Sequence, residues 1–331
     1  MADNHLPLVL VTHTLPQDWL SILEPRCRLV FGPVDATAFD PALHAYVPDA
    51  EGLFTLLTIR VDANLLNQAP HLRVVSNMAV GVDNIDLAAC TRRWIPVGNT
   101  PGVLTDGTAD LAIALLLAAA RRLFQANQDA REGRWTTWSP TGWLGADLKG
   151  ATLGIIGAGK IGQAVAERAQ GFGLKLIYTD PDRQPEFERR LDVMFSPLPD
   201  LLRESDFISL HVPLTPQTRN LINADTLRLM KPTAVLVNTS RGPVVETDAL
   251  LHALKEGWLA TAALDVTDPE PLPPEHPLFS LPNCLVVPHI GSATYNTRRK
   301  MALTACENLL AGLEGRRLPH CANPEVYNRV S

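Results

Sequence analysis

The 331-residue chain has few cysteines, few aromatic residues and no blocks of like charge. Its five cysteines, Cys27, Cys90, Cys284, Cys306 and Cys321, are odd in number, scattered and without a C-x-x-C pair. That pattern excludes a disulfide framework and a zinc site, and it points to reduced thiols and a cytoplasmic location. No metal site is expected. The longest apolar run, Leu111 to Ala120, is bounded by Asp110 and Arg121; it falls well short of the roughly 20 residues that a transmembrane helix needs. The opening residues, Met-Ala-Asp-Asn-His, lack the basic-then-apolar layout of a signal peptide. Lysine and arginine form no stripe and the net charge is −6, so neither nucleic acid nor an anionic membrane is an expected partner. Fixed-period repeats and low-complexity segments are also absent. The length suffices for two domains, each with an ample core.

What is present begins with a short apolar strand that runs from Leu153 into Gly157, Gly159 and Gly162, spaced G-x-G-x-x-G. The first glycine permits a tight strand-to-helix turn and the second lets backbone approach a pyrophosphate. The third lets the new helix pack closely on the sheet. Phosphates would rest on the free N–H groups at the start of that helix, at Lys160 and Ile161. A second apolar run, Leu174 to Thr179, ends in Asp180, at about the distance expected for an acid that grips a ribose. Arg183 lies three residues on, in a proline-containing loop. There it can meet a phosphate, Asp182 or solvent.

Strands alternate with helices along the whole chain. In the first third, strands are expected at 6–11, 28–31, 53–57, 73–76 and 95–98, with helices between them. After Thr105-Asp-Gly-Thr108, whose side chains can cap a helix, an alanine- and leucine-rich helix is expected to reach nearly to Gly133. Its apolar residues lie almost all round, so burial between domains or subunits is expected. The loop that follows holds Trp135, Trp138 and Trp143, three of the six tryptophans. It reads either as an interface arm or as a loop anchored on its own subunit. Six further strands are expected at Leu153, Leu174, 207–212, 234–238, 261–266 and 284–287, and a final helix at 297–313 should return to the first domain. The fold class is therefore α/β, with two doubly wound parallel-sheet domains.

In such sheets chemistry belongs beyond the carboxyl ends of the strands. Those ends offer Arg241, Asp265, Glu270 and His289. Reduction of a 2-oxo acid needs a hydride donor, a proton donor and a cation for the carboxylate. Histidine suits the second role, held charged and oriented by a neighbouring acid. Arginine suits the third through its forked guanidinium. Each residue also has a plainer reading: His289 as a loop histidine, Glu270 as a turn cap, Arg241 as a solvated cation and Asp265 as a local backbone acceptor. His276, between prolines, is the rival histidine.

These stretches resemble the D-isomer-specific 2-hydroxyacid dehydrogenase family, and within it most closely the glyoxylate/hydroxypyruvate reductases. The resemblance covers nearly the whole chain and rests on Asn77-Met-Ala-Val-Gly-Val-Asp-Asn-Ile-Asp86, Gly157-Ala-Gly-Lys-Ile-Gly162, Asn238-Thr-Ser-Arg-Gly242, Leu264-Asp-Val-Thr-Asp-Pro-Glu-Pro271 and Pro288-His-Ile-Gly-Ser-Ala-Thr294. It implies a Rossmann NAD(P)-binding domain at 101–290, which includes a dimerisation helix and loop at 108–147. It also implies a discontinuous flavodoxin-like substrate domain at 1–100 and 291–331. Catalysis would fall to Arg241, Glu270 and His289. Cofactor contacts would come from Thr108, the glycine loop, Asp180, His211, Val212, Pro213, Thr218, Thr239, Ser240, Arg241, Asp265, His289 and Gly291. Substrate contacts would come from Val80, Gly81, Arg241, His289, Ser292 and Trp138, the last reaching a partner subunit's site in a homodimer. NAD(H) is the expected cofactor, with NADP(H) as a second, and the partner molecule is a small 2-oxo or 2-hydroxy acid. Val80 stands where phosphite-oxidising relatives carry lysine, and Glu270 where formate-oxidising relatives carry glutamine. Because phosphoglycerate dehydrogenases share the triad, the acid stays open: D-lactate, phosphoglycerate or a bulkier acid are alternatives. A dinucleotide-sensing corepressor is the alternative outside enzymes, disfavoured by a chain that stops at Ser331 with no long tail.

Overall fold

The computed structural model describes residues 6–328, so the opening pentapeptide and the final residues lie outside the described residues. The chain begins with β1 (Leu8–Val11), α1 (Gln17–Leu20), β2 (Arg28–Phe31), β3 (Gly52–Thr55), α2 (Ala63–Gln68), β4 (Val74–Asn77), α3 (Leu87–Arg92) and β5 (Val97–Gly98). Helices α4 (Thr105–Ala120) and α5 (Leu123–Arg131) lead into β6 (Thr152–Ile156), α6 (Lys160–Gln170), β7 (Lys175–Thr179), α7 (Pro185–Leu191) and β8 (Met194–Phe195). Next come α8 (Leu198–Glu204), β9 (Phe207–Leu210), α9 (Ala224–Leu227), β10 (Val235–Asn238), α10 (Thr247–Glu256), β11 (Thr261–Leu264), β12 (Cys284–Val286) and α11 (Tyr295–Leu313). Two compact units divide these elements: one runs to Leu104 and resumes at Thr294, and the other is Thr105–Ala293.

The first unit is a five-stranded sheet of order β2-β1-β3-β4-β5, parallel throughout. Strands β1, β3 and β4 are buried along their full length, as parallel strands covered on both faces must be, and hence they read as unbroken apolar runs. Helix α11 lies on β3, β4 and β5. It is joined to the sheet by a 2.7 Å bond from Ser76 Oγ to the Ala305 carbonyl.

The second unit is a seven-stranded parallel sheet of order β12-β11-β10-β9-β6-β7-β8. The order reverses at β6, and this doubly wound arrangement places a crevice beyond the strand ends at the switch. Alternate side chains feed two cores. Leu153, Ile155, Tyr178, Val235 and Val237 face α4, α6 and α7. Ile156, Ile177, Ile208, Leu210, Leu236 and Leu264 face the α8–α10 side.

Three details differ from the sequence expectation, and one, the packing of α4, adds to it. Strand β8 was not anticipated, because two residues carry no periodic pattern. The long helix is broken, since Arg122 adopts φ +51° and starts α5 afresh. Helix α4 is covered within its own unit by α6, β10 and β11, which bury Ala109, Ala112, Ile113, Leu115, Leu116, Ala119 and Ala120. Finally, the ladders of β9 and β11 stop at Leu210 and Leu264, which leaves His211, Val212, Asp265 and Val266 in the connections beyond.

Candidate active site

Strand β6 enters Gly157 at φ +98°, and the Gly157 N–H donates to the Thr179 carbonyl at 2.9 Å. A Cβ there would also strike the His211 carbonyl at 2.8 Å. Helix α6 starts at Lys160, and no side chain caps it, so the N–H groups of Lys160, Ile161 and Gly162 are its orphan donors. A Cβ on Gly162 would lie 2.0 Å from the Gly157 oxygen, whereas one on Gly159 would meet nothing within 4 Å. Gly162 thus lets the helix close on the loop, and Gly159 keeps the outer face clear. At the end of β7, Asp180 Oδ2 accepts from the Ala158 N–H at 2.8 Å, which brings the carboxylate onto the same loop.

Two nearby connections complete this edge. Burial pushes the His211 imidazole down to about 3, so the ring is neutral; its Nε2 shares a 2.8 Å bond with Ser209 Oγ. Its Nδ1 and the buried Thr239 Oγ1 have no partner within the described residues. Thr218 Oγ1 accepts from the Thr215 N–H at 2.8 Å and donates to the Pro213 carbonyl at 2.5 Å, which shapes the 213–218 turn. Uncapped donors, a cleared glycine, an acid at the neighbouring strand end and orphaned buried polar atoms together fit a dinucleotide.

The next strand ends hold the ionisable residues. Asn238, fully buried, ends β10; its Oδ1 accepts from the Ser240 N–H and Oγ, and its Nδ2 donates to the Arg241 carbonyl at 2.9 Å. That brace sets the Arg241 backbone, and Arg241 Nη1 donates to the Ser240 carbonyl at 2.8 Å. His289 adopts φ +50°, a conformation that a side chain rarely takes without support. Asp265, 2% exposed, gives that support. Its carbonyl accepts from the His289 N–H at 2.9 Å, and its carboxylate accepts from the N–H groups of Ile290 (2.6 Å) and Gly291 (2.9 Å). Burial pushes the Asp265 carboxyl above its ordinary value, and the two N–H groups and His289 oppose this. Thr108 lies close against Gly291, about 3.4 Å from a Cβ built there. His289 Nδ1 then meets Glu270 Oε1 at 2.5 Å. His276 instead caps a short helix by accepting from the Leu278 N–H at 3.3 Å.

In the first unit Val80 and Gly81 form the turn after β4, half-buried. Their carbonyls accept from Asn99 and Asn77 respectively, each at 2.9 Å.

The model for the D-isomer specific 2-hydroxyacid dehydrogenase NAD-binding domain matches residues 113–291, more than half of the chain. A glyoxylate reductase from Korarchaeum cryptofilum is 49% identical over 321 residues, 97% of each chain. The TT0316 protein from Thermus thermophilus, a crystal structure, is 48% identical, with 95% of this chain and 99% of that one covered and a TM-score of 0.89. An NADPH-dependent glyoxylate/hydroxypyruvate reductase from Sinorhizobium meliloti, solved with NADP and malonate, is 33% identical over 96% of this chain and 97% of that one, with a TM-score of 0.83.

The chain belongs to the D-isomer-specific 2-hydroxyacid dehydrogenase family.

It is accordingly an oxidoreductase that uses a nicotinamide dinucleotide. Among the described residues of this dehydrogenase no helix is long and apolar enough to cross a membrane, and no cluster of ligands could hold a metal. Arg183 meets Glu188, not Asp182: its guanidinium donates to the Glu188 carboxylate at 2.6 and 3.1 Å, and Glu188 also accepts from the Tyr178 hydroxyl at 2.7 Å. Trp138 is 80% exposed, while Trp143 is anchored by a 2.6 Å bond to Asp129. Ser292 is half-buried in the turn after Gly291. Sequence reading missed Asn77, Asn99, Asn238 and Glu188. For Asn77 and Asn238 a signal existed, an asparagine at a strand end shortly before a glycine turn.

Proposed function

We propose that this dehydrogenase reduces small 2-oxo acids, glyoxylate and hydroxypyruvate, to the corresponding 2-hydroxy acids. NADH is the preferred hydride source and NADPH a slower one. The observation that carries the reading is the 2.5 Å bond between His289 Nδ1 and Glu270, in a chain 49% identical to a glyoxylate reductase. Bound nicotinamide supplies the hydride to C2. With Nδ1 committed to Glu270, the Nε2–H of His289 is the proton given to the carbonyl oxygen. Glu270 aims the ring through that bond. Arg241 pairs with the carboxylate and polarises the carbonyl. In the other unit, the turn at Val80 and Gly81 offers backbone N–H groups to an acid. The histidine is left neutral and is reprotonated from solvent, so each turnover consumes one proton.

The 105–293 unit carries the dinucleotide, on the glycine loop, Asp180 and the turns at 211–218 and 239–241; the other unit carries the N–H groups for the acid. Asp180 favours NADH, because a carboxylate accepts from ribose hydroxyls and repels a 2′-phosphate. Arg183, tied to Glu188, is engaged within the protein. Exposed Leu123, Trp135, Trp138 and Leu144 support a homodimer built on 108–147, with Trp138 serving the partner's site. Five free cysteines support a reducing, cytoplasmic setting. The test is loss of the reduced-nicotinamide absorbance when NADH is mixed with a panel of 2-oxo acids of graded size. Fast oxidation with glyoxylate and hydroxypyruvate is expected. Inactivity with both, or a clear preference for a bulkier acid, would overturn the assignment.

A further inference from the structure

We propose that Asn99 and Asn77 are positioning residues that aim the backbone N–H groups of the 80–82 turn at the substrate carboxylate. The proposal rests on the reading that this turn binds the acid. A carbonyl can only accept, so both asparagines must present their NH2 groups to it: Asn99 Nδ2 to the Val80 oxygen and Asn77 Nδ2 to the Gly81 oxygen, each at 2.9 Å. In a planar trans peptide the carbonyl and the following N–H point in opposite directions. Holding the Val80 carbonyl toward Asn99 therefore turns the Gly81 N–H away from it, and holding the Gly81 carbonyl toward Asn77 does the same for the Val82 N–H. Neither N–H has an acceptor among the described residues, and Gly81 and Val82 are only half-buried.

Both clamps are themselves held. The Asn99 carbonyl accepts from Asn308 Nδ2 at 2.9 Å, and Asn308 is fully buried on α11. Asn77 Nδ2 also reaches Asn84 Oδ1 at 3.1 Å, and Asn84 Nδ2 donates to the carbonyls of Leu56 and Ile59. Asn77 Oδ1, by contrast, is buried without a partner. That cost to folding argues that the side chain is retained for what its amide positions. Preorganised donors of this kind need no rearrangement when an anion arrives.

The test compares full-length wild type with Asn99→Leu, which keeps the shape without the donor, and Asn99→Ala. Each is loaded with NADH and titrated with oxalate, a non-reacting dicarboxylate, and each is assayed with glyoxylate. Both variants should bind oxalate about ten- to a hundredfold more weakly, the range for one lost hydrogen bond to a charged group, and KM for glyoxylate should rise in step. NADH affinity, melting temperature and kcat at saturating glyoxylate should hold. Wild-type oxalate affinity in both variants would overturn the clamp, and so would a parallel loss of NADH affinity, which would mark a structural role. Failure of the wild type itself to bind oxalate and reduce glyoxylate would overturn the carboxylate reading, and the clamp with it.

Discussion

At the scale of single residues, His289 is held on three sides: its N–H by the Asp265 carbonyl, the peptides after it by the Asp265 carboxylate, and its Nδ1 by Glu270. The ring is therefore placed before substrate arrives, and removing it should cost what a positioned acid is worth. His289→Ala is expected to lower turnover by about 10²- to 10⁴-fold with NADH affinity intact, as read by steady-state kinetics and cofactor titration. Glu270→Gln replaces the charged acceptor at Nδ1 with a neutral amide, so the ring is aimed less firmly and kcat should fall while NADH affinity holds. A second prediction concerns the cofactor. Asp180 sits on the glycine loop, and Glu188 with Tyr178 holds Arg183. Asp180→Ala removes the repulsion toward a 2′-phosphate, and Glu188→Gln releases the guanidinium to meet one. Each should shift the NADPH-to-NADH ratio of kcat/KM toward NADPH by about tenfold or more, the worth of one charge-assisted hydrogen bond, and the two together by more than either alone. A wild type that already prefers NADPH would contradict the roles of both residues.

At the scale of elements, the strand-loop-helix at 152–170 leaves little tolerance. A methyl group on Gly162 would fall 2.0 Å from the Gly157 oxygen, so Gly162→Ala must push α6 off the loop. The expected result is a loss of about 1–3 kcal/mol, as for other overpacked sites, together with a raised KM for NADH and an unchanged KM for the acid. The legibility of the chain divides at this scale too. Parallel strands buried on both faces leave continuous apolar runs, so β1, β3, β9, β10 and β11 could be read directly. Arg241, Glu270 and His289 could be picked out as candidates because they follow strand ends in stretches with strong turn residues. The break at Arg122 could not be read, since a left-handed arginine carries no glycine to announce it. Nor could the grip of Asn99 on Val80, because that contact joins residues 19 apart through the tertiary fold. The packing of α4 on α6, β10 and β11 could not be read either, because an apolar helix announces that it is buried but not by what.

For the molecule as a whole, acid stability and assembly are the measurable consequences. Burial pushes the Asp206 carboxyl up, but Lys231 at 2.7 Å and the Thr152 N–H at 2.9 Å outweigh it and hold the group below its ordinary value of 3.8. The folded state thus binds this proton less readily than the unfolded chain does, and the contribution is complete above the ordinary value and lost as pH falls through the lowered one. Asp206→Asn should cost about 1 kcal/mol at neutral pH, a modest figure because the side chain is one-third exposed and screened. The gap in melting temperature between variant and wild type should close below about pH 4. The proposed homodimer concerns α5 and the loop after it in the same unit. Trp135, Trp138, Leu123 and Leu144 are each more than half exposed, clustered on α5 and the loop after it, and an apolar group of this kind calls for a partner surface. A two-fold pairing through that segment would cover it in both copies. Light scattering at micromolar concentration should give twice the 36.1 kDa chain mass, and Trp135→Asp with Leu144→Asp should return the monomer by placing unpaired charges in the contact. Trp138→Ala separates assembly from catalysis: a dimer that keeps its mass but shows a raised KM for the acid would mean that Trp138 serves the partner's site, whereas unchanged kinetics would leave it a contact between subunits alone.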